Sequence, residues 1–233
     1  MSGHGKIRKV GSRLVLVGTV HVDPASAALV RETVLRLRPE VVALELDADR
    51  LNVLQNPMSS RPSFSAGPSF LVMALLERFA GQLTGSVPGL EMLEAVRTAQ
   101  TVGARVELID RPIGATIAGL KKLPLREKVR IGIDGLASLI LLPLGGVDLS
   151  GLMEAVESQL DVFRSRYPSL SKLLLDDRET YMARSIKRIL DQSQGKVIGV
   201  VGFGHLASLA KAVEGYREEP GYSTSLRWTV GSG

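Results

Sequence analysis

Cysteine is absent from this chain of 233 residues, and aromatic residues make up only 4% of it. Without thiols there can be no disulfide, no thiolate zinc site and no cysteine nucleophile. Any metal ion must therefore be held by histidine, aspartate or glutamate. The apolar residues, 45% of the chain, are mostly Leu, Val, Ala and Ile, and they predict an ordinary globular core.

The signatures of several common protein classes are also missing. The glycines of residues 199–204 do not have the spacing of a dinucleotide-binding turn, and there is no P-loop and no Gly-x-Ser-x-Gly elbow. Residues 1–6 have no apolar signal-peptide core. The longest apolar stretch, residues 131–146, is shorter than the about 20 residues of a membrane span and predicts a helix that is buried or docks on a surface.

Positive charge is in excess, with a net charge of +5. The arginines are spread along the chain and do not alternate with aromatic residues, as they often do on nucleic-acid-binding surfaces. We therefore expect no nucleic-acid partner.

Two apolar runs organise what is present. Residues 13–18 and 196–202 are each rich in β-branched residues, as strands buried on both faces are, and each ends in a Gly-x-x-His turn. The first turn runs from Gly18 to His21 and the second from Gly202 to His205. Because parallel strands end at the same edge of a sheet, the two histidines can meet there, where open α/β sheets bind ligands.

The rest of the chain predicts an α/β fold, with a mostly parallel central sheet flanked by helices and an all-helical insertion before the last core strand. Strands are expected at 41–46 and 105–109, and helices at 25–37, 48–55, 90–102 and 206–213. Residues 121–193 contain helical patterns around 126–142, 150–165 and 169–192 and form the insertion. We expect a single domain over residues 1–233, with a core of about 10–120 and 194–230. The Pro- and Ser-rich residues 56–69 predict a lid, a binding loop or a disordered segment, and residues 225–230 an edge strand or tail.

Polar candidates cluster at the predicted sheet edge. His21, His205 and Glu45 follow strands directly, and two imidazoles with a carboxylate can hold a catalytic divalent metal. The remaining histidine, His4, lies outside this pattern. Each histidine could instead be structural, and Glu45 could instead form a salt bridge. Further candidates near the same edge are Asp47, Arg50 and Arg111, and, as glycines of the two turns, Gly18, Gly202 and Gly204.

Five segments in order resemble the TraB/PrgY family, which includes bacterial pheromone-shutdown proteins and is related to the Tiki metalloproteases of animals. The segments are residues 18–21, residues 45–50, residues 110–112, residues 177–183 and residues 200–206. The resemblance as a whole runs from about residue 13 to residue 214. Glu179 stands where an aspartate is common in the family, and Phe203 where a small residue often follows the glycine.

The resemblance implies a metal-dependent hydrolase that acts on peptides or protein termini. Carried over onto this sequence, it implies His21, His205 and Glu45 as metal ligands, with Glu45 as ligand or general base. It implies Arg111 and Arg178 as supporting positive charges, and manganese or cobalt as the metal, with zinc as a further candidate. Asp47, Arg50 and the turn glycines are expected to contact the substrate.

Two other functions stay open at this stage. The same edge could bind or sequester a peptide without cleaving it, with a peptide carboxylate held by Arg111 and the glycine-rich turn. Alternatively, the helical insertion and residues 131–146 could form a homodimer. Many relatives continue into membrane-spanning helices, so attachment to a membrane through a segment outside this chain is also an expectation.

Overall fold

The computed structural model describes residues 6–19, 24–56, 89–141 and 161–214. Five strands form one sheet, and they are β1 (Ile7–Val10), β2 (Leu14–Thr19), β3 (Val41–Leu44), β4 (Arg105–Leu108) and β5 (Val197–Gly202). The first five helices are α1 (Pro24–Leu37), α2 (Ala48–Gln55), α3 (Leu90–Val102), α4 (Ile113–Lys121) and α5 (Leu125–Leu141). Three more are α6 (Pro168–Ser171), α7 (Asp177–Gln192) and α8 (Phe203–Val213). Residues 161–166 are also helical, and a π-helical segment, Lys172–Asp176, joins α6 to α7.

The sheet has the strand order β1-β2-β5-β3-β4. β2, β5, β3 and β4 are parallel, and β1 pairs with β2 in the antiparallel direction. β5, the last strand within the described residues, thus lies between β2 and β3. This arrangement confirms the predicted α/β class and its mostly parallel sheet, and it places the carboxyl ends of β2, β5 and β3 side by side.

Helices cover both faces of the sheet, so the central strands are apolar on both sides. On one face, Leu14 and Leu16 of β2 pack with Ile186 of α7 and Leu209 of α8. On the other face, Val15 and Val17 pack in a cluster to which α1 and α3 contribute, with Val30 and Val34 from α1 and Met92, Ala95 and Ala99 from α3. All six residues of β2 and all six of β5 are buried, which explains their continuous apolar runs.

Strong local signals set the helix boundaries. Pro24 occupies the first position of α1, which proline favours because its missing N–H would have no partner there. Gly103 ends α3 with a left-handed φ of 75°. The predicted helices at 25–37, 48–55 and 90–102 are confirmed to within one residue. The predicted helix at 169–192 is helical throughout, but the π-helical segment interrupts its α-helical hydrogen bonding.

The sequence reasoning missed β1. Ile7–Val10 has two charged residues in its centre and only partly buried ends, so it lacks the apolar run that identified the other strands. Gly11, with a φ of 62°, begins the turn that folds it back onto β2. β1 is an edge strand, and its exposed Arg8 and Lys9 are typical of edges that avoid further pairing.

Between residues 121 and 190, the described segments contain helices and no strand, as the sequence predicted. The division into a core and an insertion stays a prediction. The expected loop at 56–69 beyond Asn56, the edge strand at 225–230 and most of the expected helix at 150–165 lie outside the described residues. Within the described part of the chain, no helix is long and apolar enough to cross a membrane.

Candidate functional site

Glu45 follows the last residue of β3 and lies at the carboxyl edge of the sheet. Its backbone N–H donates to the carbonyl of Val200 in β5 at 3.0 Å, which extends the strand pairing by one residue. Its side chain is buried, and Oε2 accepts a hydrogen bond of 2.7 Å from the N–H of Gly202. A carboxylate in this position is thereby fixed by the end of the neighbouring strand.

His205 lies in the first turn of α8, directly after β5, and is only 7% exposed. Its Nε2 atom is 3.5 Å from Oε1 of Glu45. Its other ring nitrogen, Nδ1, is 2.9 Å from Oε1 of Glu179, which belongs to α7. The imidazole therefore lies between two carboxylates. Burial would raise the pKa of Glu179, but the hydrogen bond with His205 lowers it below its usual value.

Arg178 reaches the same place from α7. Its Nη2 atom donates to Oε1 of Glu45 at 2.5 Å and to Oδ2 of Asp110 at 2.6 Å, and its Nε donates to Oδ1 of Asp110 at 3.1 Å. Burial would lower the pKa of Arg178, but the negative charges of Glu45 and Asp110 raise it. Arg178 is therefore firmly cationic, and it joins the carboxylates that follow β3 and β4.

Asp110 is buried between two arginines. Besides Arg178, it forms an ion pair with Nη2 of Arg50, and its side chain has no exposed surface. Burial would raise the pKa of Asp110, but hydrogen bonding and charge from Arg178 and Arg50 lower it. Arg50 in turn binds Asp47 through its Nε atom at 2.8 Å.

Asp47 has a structural task in addition to this ion pair. It is the N-cap of α2, where Oδ1 accepts from the N–H of Arg50 at 2.9 Å. Its Oδ2 atom also accepts from the N–H of Ile113 at 3.1 Å, at the start of α4. Asp47 and Arg50, expected at the substrate, thus hold α2 and α4 in place beside Asp110.

Arg111 lies farther out than Arg178. Its Nη1 atom is 3.5 Å from Oδ2 of Asp177, and that aspartate also binds the exposed Lys172 at 3.1 Å. The side chain of Arg111 is 27% exposed, so of the two predicted supporting arginines it is the one with more access to solvent.

The three glycines of the predicted site differ in what surrounds them. A Cβ atom at Gly18 would lie 2.8 Å from Cδ2 of Leu206 and 3.3 Å from a ring carbon of Phe203, so Gly18 allows α8 to approach β2 closely. A Cβ atom at Gly204 would have no atom within 4 Å. Gly202 provides the N–H that binds Glu45. In this structure the roles of Gly18 and Gly202 are in packing and in positioning Glu45.

His21 lies outside the described residues. Thr19, two positions before it in the sequence, pairs with Gly202 at the end of β5. Among the described residues there is no group of three or more His, Asp or Glu side chains arranged to hold a metal ion. Of the three predicted ligands, the structure brings Glu45 and His205 together.

Sequence reasoning did not assign site roles to Asp110 and Glu179. A signal for Asp110 was present, because it follows β4 as Glu45 follows β3. No local signal could identify Glu179, because its contact with His205 depends on how α7 packs against α8.

A family comparison matches the part of the chain that supplies several of these residues. The family model of the TraB/PrgY/gumN family matches residues 146–224, which include α7, β5 and α8 and therefore Arg178, Glu179 and His205. This match makes residues 146–224 similar to the TraB/PrgY/gumN family. This confirms the resemblance drawn from the sequence motifs.

Similar proteins are found in archaea and mammals. An uncharacterized protein from Methanocaldococcus jannaschii is 28% identical over 211 residues, which cover 85% of this chain. The human and bovine TraB domain-containing proteins are 27% and 26% identical over 86% of this chain. The chain spans 52% of the length of the archaeal relative and 62% of the length of the mammalian ones.

Proposed function

We propose that this chain is a metal-dependent hydrolase, most simply a peptidase that acts on peptides or protein termini. The observation that carries the proposal is the position of His205, whose Nε2 atom faces Oε1 of Glu45 at 3.5 Å while Nδ1 contacts Glu179 at 2.9 Å. His205 and Glu45 would bind the metal, and His21 is proposed as the third ligand.

The chemistry of the donor atoms supports this assignment. An ionised carboxylate can only accept hydrogen bonds, so the contact with Glu179 favours a proton on Nδ1 of His205. In the neutral imidazole, Nε2 then has a lone pair that points towards another acceptor, Glu45. Two acceptors facing each other need a cation between them, either a proton or a metal ion. A carboxylate on the far nitrogen of a histidine is also the usual partner of a metal-binding imidazole.

Glu45 can contribute to such a site while it keeps its present contacts. A carboxylate oxygen has more than one lone pair, so Oε1 can bind Arg178 and still face the imidazole. The hydrogen bonds from Gly202 and Arg178 fix the orientation of the Glu45 carboxylate. Less conformational entropy would therefore be lost when this carboxylate binds a metal. A mixed set of imidazole nitrogen and carboxylate oxygen suits manganese, cobalt or zinc.

A bound divalent metal would supply Lewis acidity and lower the pKa of a coordinated water. The chain's own groups would do the rest. Glu45 is placed to accept a proton at its carboxylate, and Arg178 balances the negative charge of Glu45 and Asp110. Arg111, which is more exposed, is placed to meet negative charge on a substrate, either a peptide carboxylate or a developing oxyanion.

One observation favours the second candidate, a peptide-binding module without catalysis. Both oxygens of Glu45 are engaged, Oε1 by Arg178 and Oε2 by Gly202, as expected of a structural carboxylate. In that case the site would hold a peptide carboxylate at Arg111 and release the peptide unchanged.

Metal analysis of the intact chain separates the two candidates. The protein is purified without chelator, supplied with manganese or cobalt, and its metal content is measured by mass spectrometry. The variants are His21→Ala/His205→Ala and, as a matched control, His4→Ala. We expect near-stoichiometric metal in the wild type and the control and none in the double variant.

A peptide-library assay then tests hydrolysis by the metal-loaded protein. Cleavage that disappears in Glu45→Gln supports the peptidase. Absence of metal from all three proteins, with bound peptide recovered intact, would overturn the proposal in favour of the binding module.

A further inference from the structure

The start of α5 exposes a row of aliphatic side chains, Leu125, Val129 and Ile133, which we call the α5 stripe. Their exposed fractions are 75%, 53% and 62%. More than half of the surface of each residue would therefore contact water. The residues are four apart in sequence, so they lie along one face of the helix. A row of this kind is unusual on a surface that contacts only solvent.

Within residues 121–133, the segment that carries the α5 stripe, the exposed charges are all of one sign. Five exposed cations precede or accompany it, namely Lys121, Lys122, Arg126, Lys128 and Arg130. The acidic residue in this segment, Glu127, is buried, and its carboxylate accepts hydrogen bonds from the N–H groups of Ser169 and Leu170. Residues 121–133 therefore present five positive charges and no exposed negative charge.

The acidic residue that follows the stripe does not change this balance. Asp134 binds Arg166 through two contacts of 2.6 Å and also binds Tyr167. Its charge is offset locally by that of Arg166.

The charge pattern indicates which occupant fits this surface. In a symmetric dimer the same patch meets its own copy, so five cations would face five cations. The α5 stripe is purely aliphatic, whereas the energetically dominant residues of protein interfaces are enriched in Trp, Tyr and Arg. An aliphatic row flanked by Lys and Arg is instead typical of a helix that lies in the interface of an anionic membrane.

We propose that the α5 stripe and its five cations form a docking surface for an anionic phospholipid membrane. The aliphatic side chains enter the boundary between head groups and acyl chains, and the cations meet lipid phosphates. The helix lies on the surface and does not cross it. This proposal is independent of the hydrolase proposal, because it concerns no residue of that site.

Vesicle co-sedimentation of the full chain tests it. One set of vesicles contains phosphatidylcholine alone, and the other contains equal parts of phosphatidylcholine and phosphatidylglycerol. We expect binding to the anionic vesicles only, and weaker binding at high salt because surface charges are screened.

Two triple variants separate the contributions of apolar and charged side chains. Leu125→Ser/Val129→Ser/Ile133→Ser should reduce binding by more than about tenfold, because three aliphatic side chains no longer enter the membrane. Lys121→Gln/Lys122→Gln/Arg126→Gln should reduce it by roughly fivefold or more for each charge removed.

Each variant has a matched control on another part of the surface. Leu35→Ser/Val53→Ser/Leu90→Ser removes three aliphatic side chains that are 41%, 49% and 50% exposed, and Arg8→Gln/Lys9→Gln/Arg36→Gln removes three exposed cations. Both controls should bind as the wild type does.

Three results would overturn the proposal. The first is absence of binding to anionic vesicles. The second is binding that the stripe variant retains, which would indicate charge attraction without insertion. The third is a wild-type dimer in solution that the stripe variant converts to a monomer, which would make the stripe a protein interface.

Discussion

The Oε1 atom of Glu179 lies 2.9 Å from the Nδ1 atom of His205, and this contact joins α7 to α8 at the edge of the sheet. This contact engages Nδ1 of the imidazole, so that Nε2 is the ring nitrogen near Glu45. Glu179 therefore acts on the proposed metal site through the orientation of His205.

We expect Glu179→Gln to weaken cobalt binding by roughly 10- to 100-fold, as loss of an outer carboxylate commonly does. The measurement is a Co²⁺ titration followed by visible absorption, which reports the ligand environment directly. The melting temperature should change little, because the amide can keep a hydrogen bond to the ring. Glu32→Gln, at an exposed position of α1, is the control. Equal cobalt affinity in Glu179→Gln and the wild type would contradict the role of Glu179.

Asp110→Asn should destabilise the fold by about 3 to 5 kcal/mol, because it leaves the buried charges of Arg50 and Arg178 with less compensation. Urea unfolding measures the change. The exposed pair of Arg105 and Glu107, 3.4 Å apart, provides the comparison. Glu107→Gln should cost at most about 1 kcal/mol. Similar losses in the two variants would show that the Asp110 cluster contributes no more than a surface pair.

Stability should fall in acid partly through Asp110. Its pKa is lower in the folded protein than in the unfolded chain, where it is about 3.9. The resulting stabilisation is complete above that value and is lost as the pH falls through the lower, folded value. The free energy of unfolding of the wild type should therefore decrease as the pH falls below about 4. In Asp110→Asn the decrease should be shallower, and identical slopes would refute the assignment.

Glu127 joins α5 to the start of α6. Its carboxylate accepts from the N–H of Ser169 at 3.1 Å and from that of Leu170 at 3.0 Å, and so acts as a cap supplied by another helix. We expect Glu127→Ala to lower the free energy of unfolding by about 1 to 2 kcal/mol, and Glu127→Gln by less, because an amide oxygen still accepts. Thermal melts of both variants test this order, and the reverse order would exclude the cap.

Gly18 in β2 and Gly204 in α8 form a matched pair of glycines from the two glycine-containing motifs. Gly18→Ala should destabilise the protein by about 1 to 3 kcal/mol, because the new methyl group meets Leu206 and Phe203. Gly204→Ala should leave stability nearly unchanged, because the space around it is open. Chemical unfolding of the two variants decides the matter. Equal losses of stability in the two variants would show that the close packing of α8 on β2 does not require a glycine at position 18.

Much of the fold was predictable because local chemistry marks its boundaries. Gly103 ends α3, Asp47 begins α2 and continuous apolar runs mark β2 and β5, so these elements could be read from nearby residues. β1 could not be predicted in this way, because its position depends on pairing with β2 and two of its four side chains are charged. The strand order could not be predicted either, since it depends on which strands pair over long distances.

Part of the candidate site was also predictable from the sequence. Glu45 and His205 follow strand ends, and parallel strands bring their ends together, so their proximity follows from topology. Arg178 is 133 residues from Glu45 in the sequence and reaches it only through the packing of α7. The carboxylate partners of Arg50 and Arg178 were equally hidden, because the sequence shows charges but not which of them become buried together.

The central position of β5 has a consequence for synthesis of the protein. Val197 pairs with Leu14 on one side and with Val41 on the other, so β2 and β3 have no strand between them until residues 197–202 leave the ribosome. A nascent chain that stops earlier carries two unpaired apolar strand edges and is prone to aggregate. The full sheet, and with it the contact between Glu45 and Gly202, can therefore form only after residues 197–202 have been translated.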